Sequence, residues 1–246
     1  MTLMQIVKPM GTVAAVALLG FAGVSIISRP LRADSDESNS HVQIGFNIAP
    51  VTLKVQGLNP ALVGKGSYIV NAHGDCNGCH NNPRLGGEWA DGHNPYFGQP
   101  KMVNAAAYLA GGTPFGPFPG NGGKFVPPGS PQGLYVYSRN LTPGCDSLPC
   151  TNPLPEGGTS FQDFVTIMRA GHDFDNAHPA CPKMGAQGCI ASPPFDATRL
   201  QVMPWPVYGN MSDDDLAGIY EYLRAIPCIS NAGLGLPANL VHFCQP

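Results

Sequence analysis

The sequence predicts an all-α domain with long Pro/Gly-rich loops, preceded by an N-terminal membrane-spanning or signal helix. Three observations carry that prediction. Two distant segments, 159–171 and 212–227, repeat apolar residues at helical spacing between residues that start and stop helices. Gly and Pro number 31 and 26 in 246 residues, a density that leaves much of the chain as ordered loop rather than long regular elements. From Pro9 to Ser28 no residue is charged. Neither internal repeats nor a run of alternating strands is present.

The uncharged stretch is flanked by Lys8, Arg29 and Arg32, and twenty helical residues span roughly 30 Å, enough for one bilayer crossing. A cleaved signal is the competing reading. Gly20-Phe21-Ala22 offers a small-x-small site for cleavage, whereas Leu31-Arg32-Ala33 places a large residue at the first position. We take residues 1–33 as a signal or anchor segment, with the uncleaved anchor preferred. Either way the chain beyond about residue 33 lies outside the cytoplasm. Residues 34–58 follow as a polar, flexible tether ("RADSDESNS") and a short extended segment ("VQIGFNIAPVTLKV"), and 59–246 form the main domain.

Asn59-Pro60 opens a helix that carries Leu62, Tyr68 and Ile69 and runs toward Cys76. From Asn81 to Gly133 the punctuation is too dense for long elements, apart from one helix over Lys101–Ala110 stopped by Gly111 and Gly112. Phe161, Phe164, Val165 and Met168 then recur at i, i+3, i+4 and i+7, with Thr159 or Ser160 as cap and Gly171 as stop. The last helix begins at Ser212, has three Asp residues in its first turn where the helix dipole favours negative charge, and ends at Pro227. Its apolar stripe is Leu216, Ile219, Tyr220 and Leu223.

Hydrophobic residues make up 43% of the chain, enough for a core, and the net charge is −3. No Lys/Arg block exists to neutralise phosphates, which excludes a nucleic-acid partner. Of eight cysteines, six fall into sequence-local pairs around Pro/Gly-rich loops: Cys145 with Cys150, Cys181 with Cys189, and Cys228 with Cys244. In an exported chain these are expected to be disulfides.

The remaining two stand in "HGDCNGCHNN", where Cys76, Cys79 and His80 read C-x-x-C-H. A thiol oxidoreductase would carry C-x-x-C at the start of a helix in a βαβ setting, which is missing here. A structural zinc site needs a second ligand pair, and none is present; His172 and His178 are six apart. The third reading uses the adjacent His. Two thiols three residues apart lie on the same side of a helical turn and can bond the two vinyl groups of one haem, with the next imidazole under the iron.

"GKGSYIVNAHGDCNGCH" (64–80), followed much later by "MPWPVYGNMSDDDLAGIYEYLRAIP" (203–227), resembles the mono-haem cytochrome c family. Within it the closest resemblance is to bacterial membrane-attached cytochromes associated with dehydrogenases. "RNLTP" (139–143) and "FVTIMRAG" (164–171) also resemble segments of that group. The match covers about residues 60–227. It implies a cytochrome c-like fold, one covalent haem c with His and Met axial ligands, and electron transfer. The chain departs from compact members in the 123 positions that separate His80 from Met203.

His80 is fixed as a ligand by the motif. For electron transfer the opposite ligand should be a thioether. Met168 belongs to a helix stripe, Met211 can pack on Leu216, Met184 lies inside the Cys181–Cys189 loop, and Met102 fits the 101–110 helix. Met203 alone stands in an irregular stretch held by Pro204 and Pro206, so it is expected on the iron. Trp205 is expected near the haem, and His73, three residues before Cys76, near its edge; the other five histidines (41, 93, 172, 178, 242) are expected at the surface. The predicted function is a periplasmic electron carrier, not an enzyme, on the outer side of a bacterial inner membrane. Its partners are redox proteins, a dehydrogenase or an oxidase, and the membrane through the N-terminal helix. A haem enzyme or ligand-binding protein, peroxidase-like and acting by displacement of Met203, is the alternative.

Overall fold

Helix α1 (Asp34–Ile48) begins the part of the chain described by a computed structural model, which covers residues 34–118, 134–174, 198–200 and 202–245. The expected signal or anchor segment, the Cys181–Cys189 pair, Met184 and His178 lie outside the described residues. Among the described residues no helix is long and apolar enough to cross a membrane.

The predicted tether is a helix. Composition suggested a flexible linker, but Val42, Gly45 and Phe46 recur at i, i+3 and i+4 and face α2 (Pro60–Tyr68). A Cβ on Gly45 would overlap the Gly64 carbonyl, and the Ser67 hydroxyl donates to the Gly45 carbonyl at 2.6 Å. Packing against a neighbour has overridden weak helix propensity. The expected extended segment reduces to irregular chain over 49–55, followed by a turn at left-handed Gly57; Ala49, Val51, Leu53 and Leu58 lie against the core and the Lys54 N–H is on the Ala225 carbonyl at 2.7 Å. Residues 33–246 form one compact unit, so the expected boundary at residue 59 does not separate two bodies.

Asn59 caps α2 as expected, its side chain accepting the Ala61 N–H at 3.1 Å with Pro60 at the first helical position. The helix continues as a π-helical turn (Ile69–His73), which leads to α3 (Cys76–His80). A two-stranded antiparallel ribbon, β1 (Pro114–Phe118) and β2 (Leu134–Tyr137), departs from the all-helical expectation. β-Branched and aromatic residues in "LYVY" favour the ribbon, and Gly112 N–H to Ser138 O (2.9 Å) extends its pairing toward Arg139.

Helix α4 (Phe161–Ala170) uses Ser160 as cap, its Oγ accepting the Asp163 N–H at 3.1 Å, and stops at left-handed Gly171. After α5 (Trp205–Tyr208), α6 (Asp213–Ala225) opens with a reciprocal Ser212–Asp215 capping box and buries Leu216, Ile219, Tyr220 and Leu223. Helices α2 and α6 cross in backbone contact: a Cβ on Gly66 would overlap the Gly218 carbonyl and stand 2.8 Å from Tyr222 Cβ. Lys65 bridges Asp214 and Asp215 at 2.6 and 2.8 Å beside the crossing.

No helix forms over 101–110. Trp89 pairs with Val103, and the turn after Asn104 reaches left-handed Leu109. The backbone groups that a helix would satisfy internally are used elsewhere. Leu109 N–H donates to Asn77 Oδ1 (2.9 Å), Gly111 N–H to the His80 carbonyl (2.7 Å), and Ala107 C=O accepts from Asn82 N–H (3.1 Å). Tyr108, fully buried, joins Asn71 Oδ1 at 2.6 Å and the Tyr222 hydroxyl at 2.7 Å. The segment is thus a strap that holds α3 to the core.

Candidate functional site

Everything around α3 converges on a single helical turn. Asp75, before it, has left-handed backbone (φ 44°, ψ 39°), and the turn places Cys76 half-buried and Cys79 exposed. Burial, then Asp75 and Cys79, push the Cys76 thiol up to about 12. Burial, Asp75 and Glu88 raise the Cys79 thiol as well. A thiol oxidoreductase needs the opposite, a thiol shifted down so that thiolate forms near neutral pH. Both thiols are shifted away from thiolate rather than toward it.

His80 is oriented by the strand exit. Its Nδ1 lies 2.8 Å from the Arg139 carbonyl, so Nδ1–H donates and Nε2 keeps its lone pair. Burial lowers its pKa, which favours the neutral imidazole a metal needs. Arg139 is itself anchored by its guanidinium, to the Asn239 carbonyl (2.8 Å) and Asp146 (3.0 Å). Downstream, Asn140 accepts from the Thr142 N–H (2.9 Å) and donates to the Ile229 carbonyl (2.8 Å). "RNLTP" is therefore the support for His80. The sequence marked it only through the resemblance, because a backbone carbonyl leaves no residue-type signature.

Met203 is partly buried against the hydrophobic core that also takes up Cys76. Two contacts fix its segment. Trp205 lies against Gly171 at the end of α4, its indole N–H donating to the Leu200 carbonyl at 3.0 Å. Tyr208, at the end of α5, donates its hydroxyl to the Gly74 carbonyl at 2.9 Å, tying the Met203 segment to the turn that precedes Cys76. The other described methionines have different settings: Met168 is buried in α4, Met211 is partly buried, and Met102 is exposed in the 83–104 loop.

The histidines sort differently from expectation in one case. His73 is exposed with its ring edge on Tyr68, and His41 stacks on the other side of that tyrosine at 4.2 Å. His242, expected at the surface, is 1% exposed. It packs under the 139–144 segment, where a Cβ on Gly144 would overlap its ring. Its signal was absent because the tail is brought there by the Cys228–Cys244 disulfide, and the Cys145–Cys150 pair is also joined.

The donor types suit a covalent haem: two thiols on one turn, an imidazole with a free Nε2, and a thioether on a pinned, proline-bounded segment. The Asn77 and Asn82 side-chain nitrogens, on either side of His80, are buried without a hydrogen-bond partner. Such orphaned donors call for an acceptor that the chain itself does not supply. Among the described residues no three His, Cys, Asp or Glu side chains group so as to hold a metal ion. Two clefts, of about 300 and 430 Å³, are lined by residues other than Cys76, Cys79, His80 and Met203. No protein-family model, curated protein or solved structure matches the chain.

Proposed function

We propose that the protein is an electron carrier with one c-type haem bound covalently through Cys76 and Cys79 and ligated by His80 and Met203. The observation that carries the reading is the C-x-x-C-H turn, whose imidazole is aligned through Nδ1 on the Arg139 carbonyl. A haem held there would supply one-electron exchange between ferric and ferrous iron. The chain contributes the rest. His80 presents Nε2, the Met203 segment is held by Trp205 and Tyr208, and the 104–111 strap limits movement of the turn. Fixed ligands on both sides suit electron transfer, because little rearranges when the iron changes charge. The exchange is one electron in from a reduced donor protein and one out to an oxidised acceptor, a dehydrogenase and an oxidase by class.

Local disulfides support a location outside the cytoplasm, on the periplasmic side of a bacterial inner membrane, reached through the uncharged Pro9–Ser28 stretch. The protein, produced with a haem-attachment system, is tested on a denaturing gel. Haem-dependent peroxidase staining that survives acid acetone is expected, and complete extraction of the haem would refute covalent attachment. Substitution of both cysteines by Ala should abolish the stain.

A further inference from the structure

Asp75 occupies a conformation that carries a steric cost for a residue with a side chain, and the usual compensation is missing. It stands at the cap position of α3 but makes no side-chain cap hydrogen bond. Its carboxylate instead lies over the second intervening residue of the motif: a Cβ on Gly78 would come within 2.7 Å of Oδ2 and 3.0 Å of Oδ1. No ion pair neutralises it among the described residues. An acidic group is thereby held in the space that any side chain at position 78 would fill.

We propose that Asp75 sets the redox poise of the site: its negative charge, held against Gly78 of the C-x-x-C-H turn, lowers the reduction potential of the haem bound there. The inference rests on the haem reading above and adds the residue that tunes it. A carboxylate held beside the motif disfavours added negative charge there by Coulomb repulsion. An electron delivered to the haem is added negative charge. Asn, which tolerates the left-handed backbone, keeps the shape without the charge.

The test is an equilibrium redox titration of holoprotein carrying Asp75→Asn, against mediators of fixed potential. Because the group is exposed and screened, the reduction constant should rise by roughly three- to tenfold, the upper figure being about 59 mV for one electron. The difference from wild type should shrink at high salt. Asp75→Gly, which removes both charge and backbone cost, should shift the constant in the same direction. An unchanged constant in haem-loaded Asp75→Asn overturns the proposal and leaves the haem reading intact. A shift in the Asn variant alone, or one accompanied by loss of the thioether–iron band, also overturns it, assigning Asp75 to ligand geometry. Wild-type protein without covalent haem would overturn both readings.

Discussion

Acid should loosen the support of His80 before it denatures the helices, and His242 is the reason. Its imidazole is 1% exposed, with Thr142 Oγ1 3.3 Å and Cys228 Sγ 3.7 Å from Nε2. Burial, reinforced by the Arg139 charge and partly opposed by a hydrogen bond to the Pro143 backbone, lowers its pKa to about 4. In the unfolded chain it would titrate near 6.5. Between those values the unfolded state binds the extra proton, so stability falls as pH drops from about 6.5 to 4, by roughly 3 kcal/mol in all. Denaturant unfolding of disulfide-intact protein, measured at intervals over that range, gives the slope. His242→Gln should lower stability at pH 7 and flatten the slope, because carboxylates that titrate below pH 5 are common to both proteins. The same slope in variant and wild type would refute the reasoning. Loosening should also reach the site, since Asn239, three residues before His242, holds the guanidinium of the residue whose carbonyl orients His80.

Replacement of Met203 by Ala should leave haem attached but remove the weak red-region band of thioether–iron coordination, lower the potential and admit cyanide or carbon monoxide; Met184→Ala should do none of these. A band lost in Met184→Ala and kept in Met203→Ala would reassign the ligand. Gly66→Ala forces a methyl into the backbone of α6, so it should cost on the order of 3 kcal/mol in denaturant unfolding. Gly218→Ala, whose added Cβ would meet nothing nearer than 3.3 Å, should cost clearly less, and equal losses would contradict the crossing geometry.

Helices with their own start and stop signals were legible in the sequence. Ser160 with Gly171, and Ser212 with Pro227, bracket stripes whose burial needs no distant partner to recognise. What failed were segments whose conformation is set from outside. Residues 34–48 lack strong helical character and are helical because Gly45 and Ser67 allow α1 to lie on α2. Residues 101–110, rich in Ala, have the opposite history: Asn77, His80 and Asn82 take up their backbone groups, and no helix forms. The site divides in the same way. Cys76, Cys79 and His80 are adjacent and could be read directly. Arg139 acts through a carbonyl and Tyr208 through a phenol on Gly74, neither of which a residue pattern records.

That division suggests how a chain with so many Gly and Pro residues can hold the C-x-x-C-H turn still. A haem ligand, as proposed for His80, must not wander between oxidation states, yet α3 has five residues and cannot be stable alone. Three segments outside α3 supply the constraint. The 104–111 strap bonds to Asn77 and His80, the 139–143 segment bonds to the His80 ring, and α5 bonds to Gly74. Each segment is fixed in turn: the strap by Tyr108 with Asn71 and Tyr222, the 139–143 segment by Asn140 and by His242 of the disulfide-tied tail, and α5 by the Trp205 indole on the Leu200 carbonyl. Rigidity at the site thus comes from loops whose polar backbone groups are committed to particular partners. Cutting one tie should loosen His80 or Met203 while the α2–α6 core remains folded.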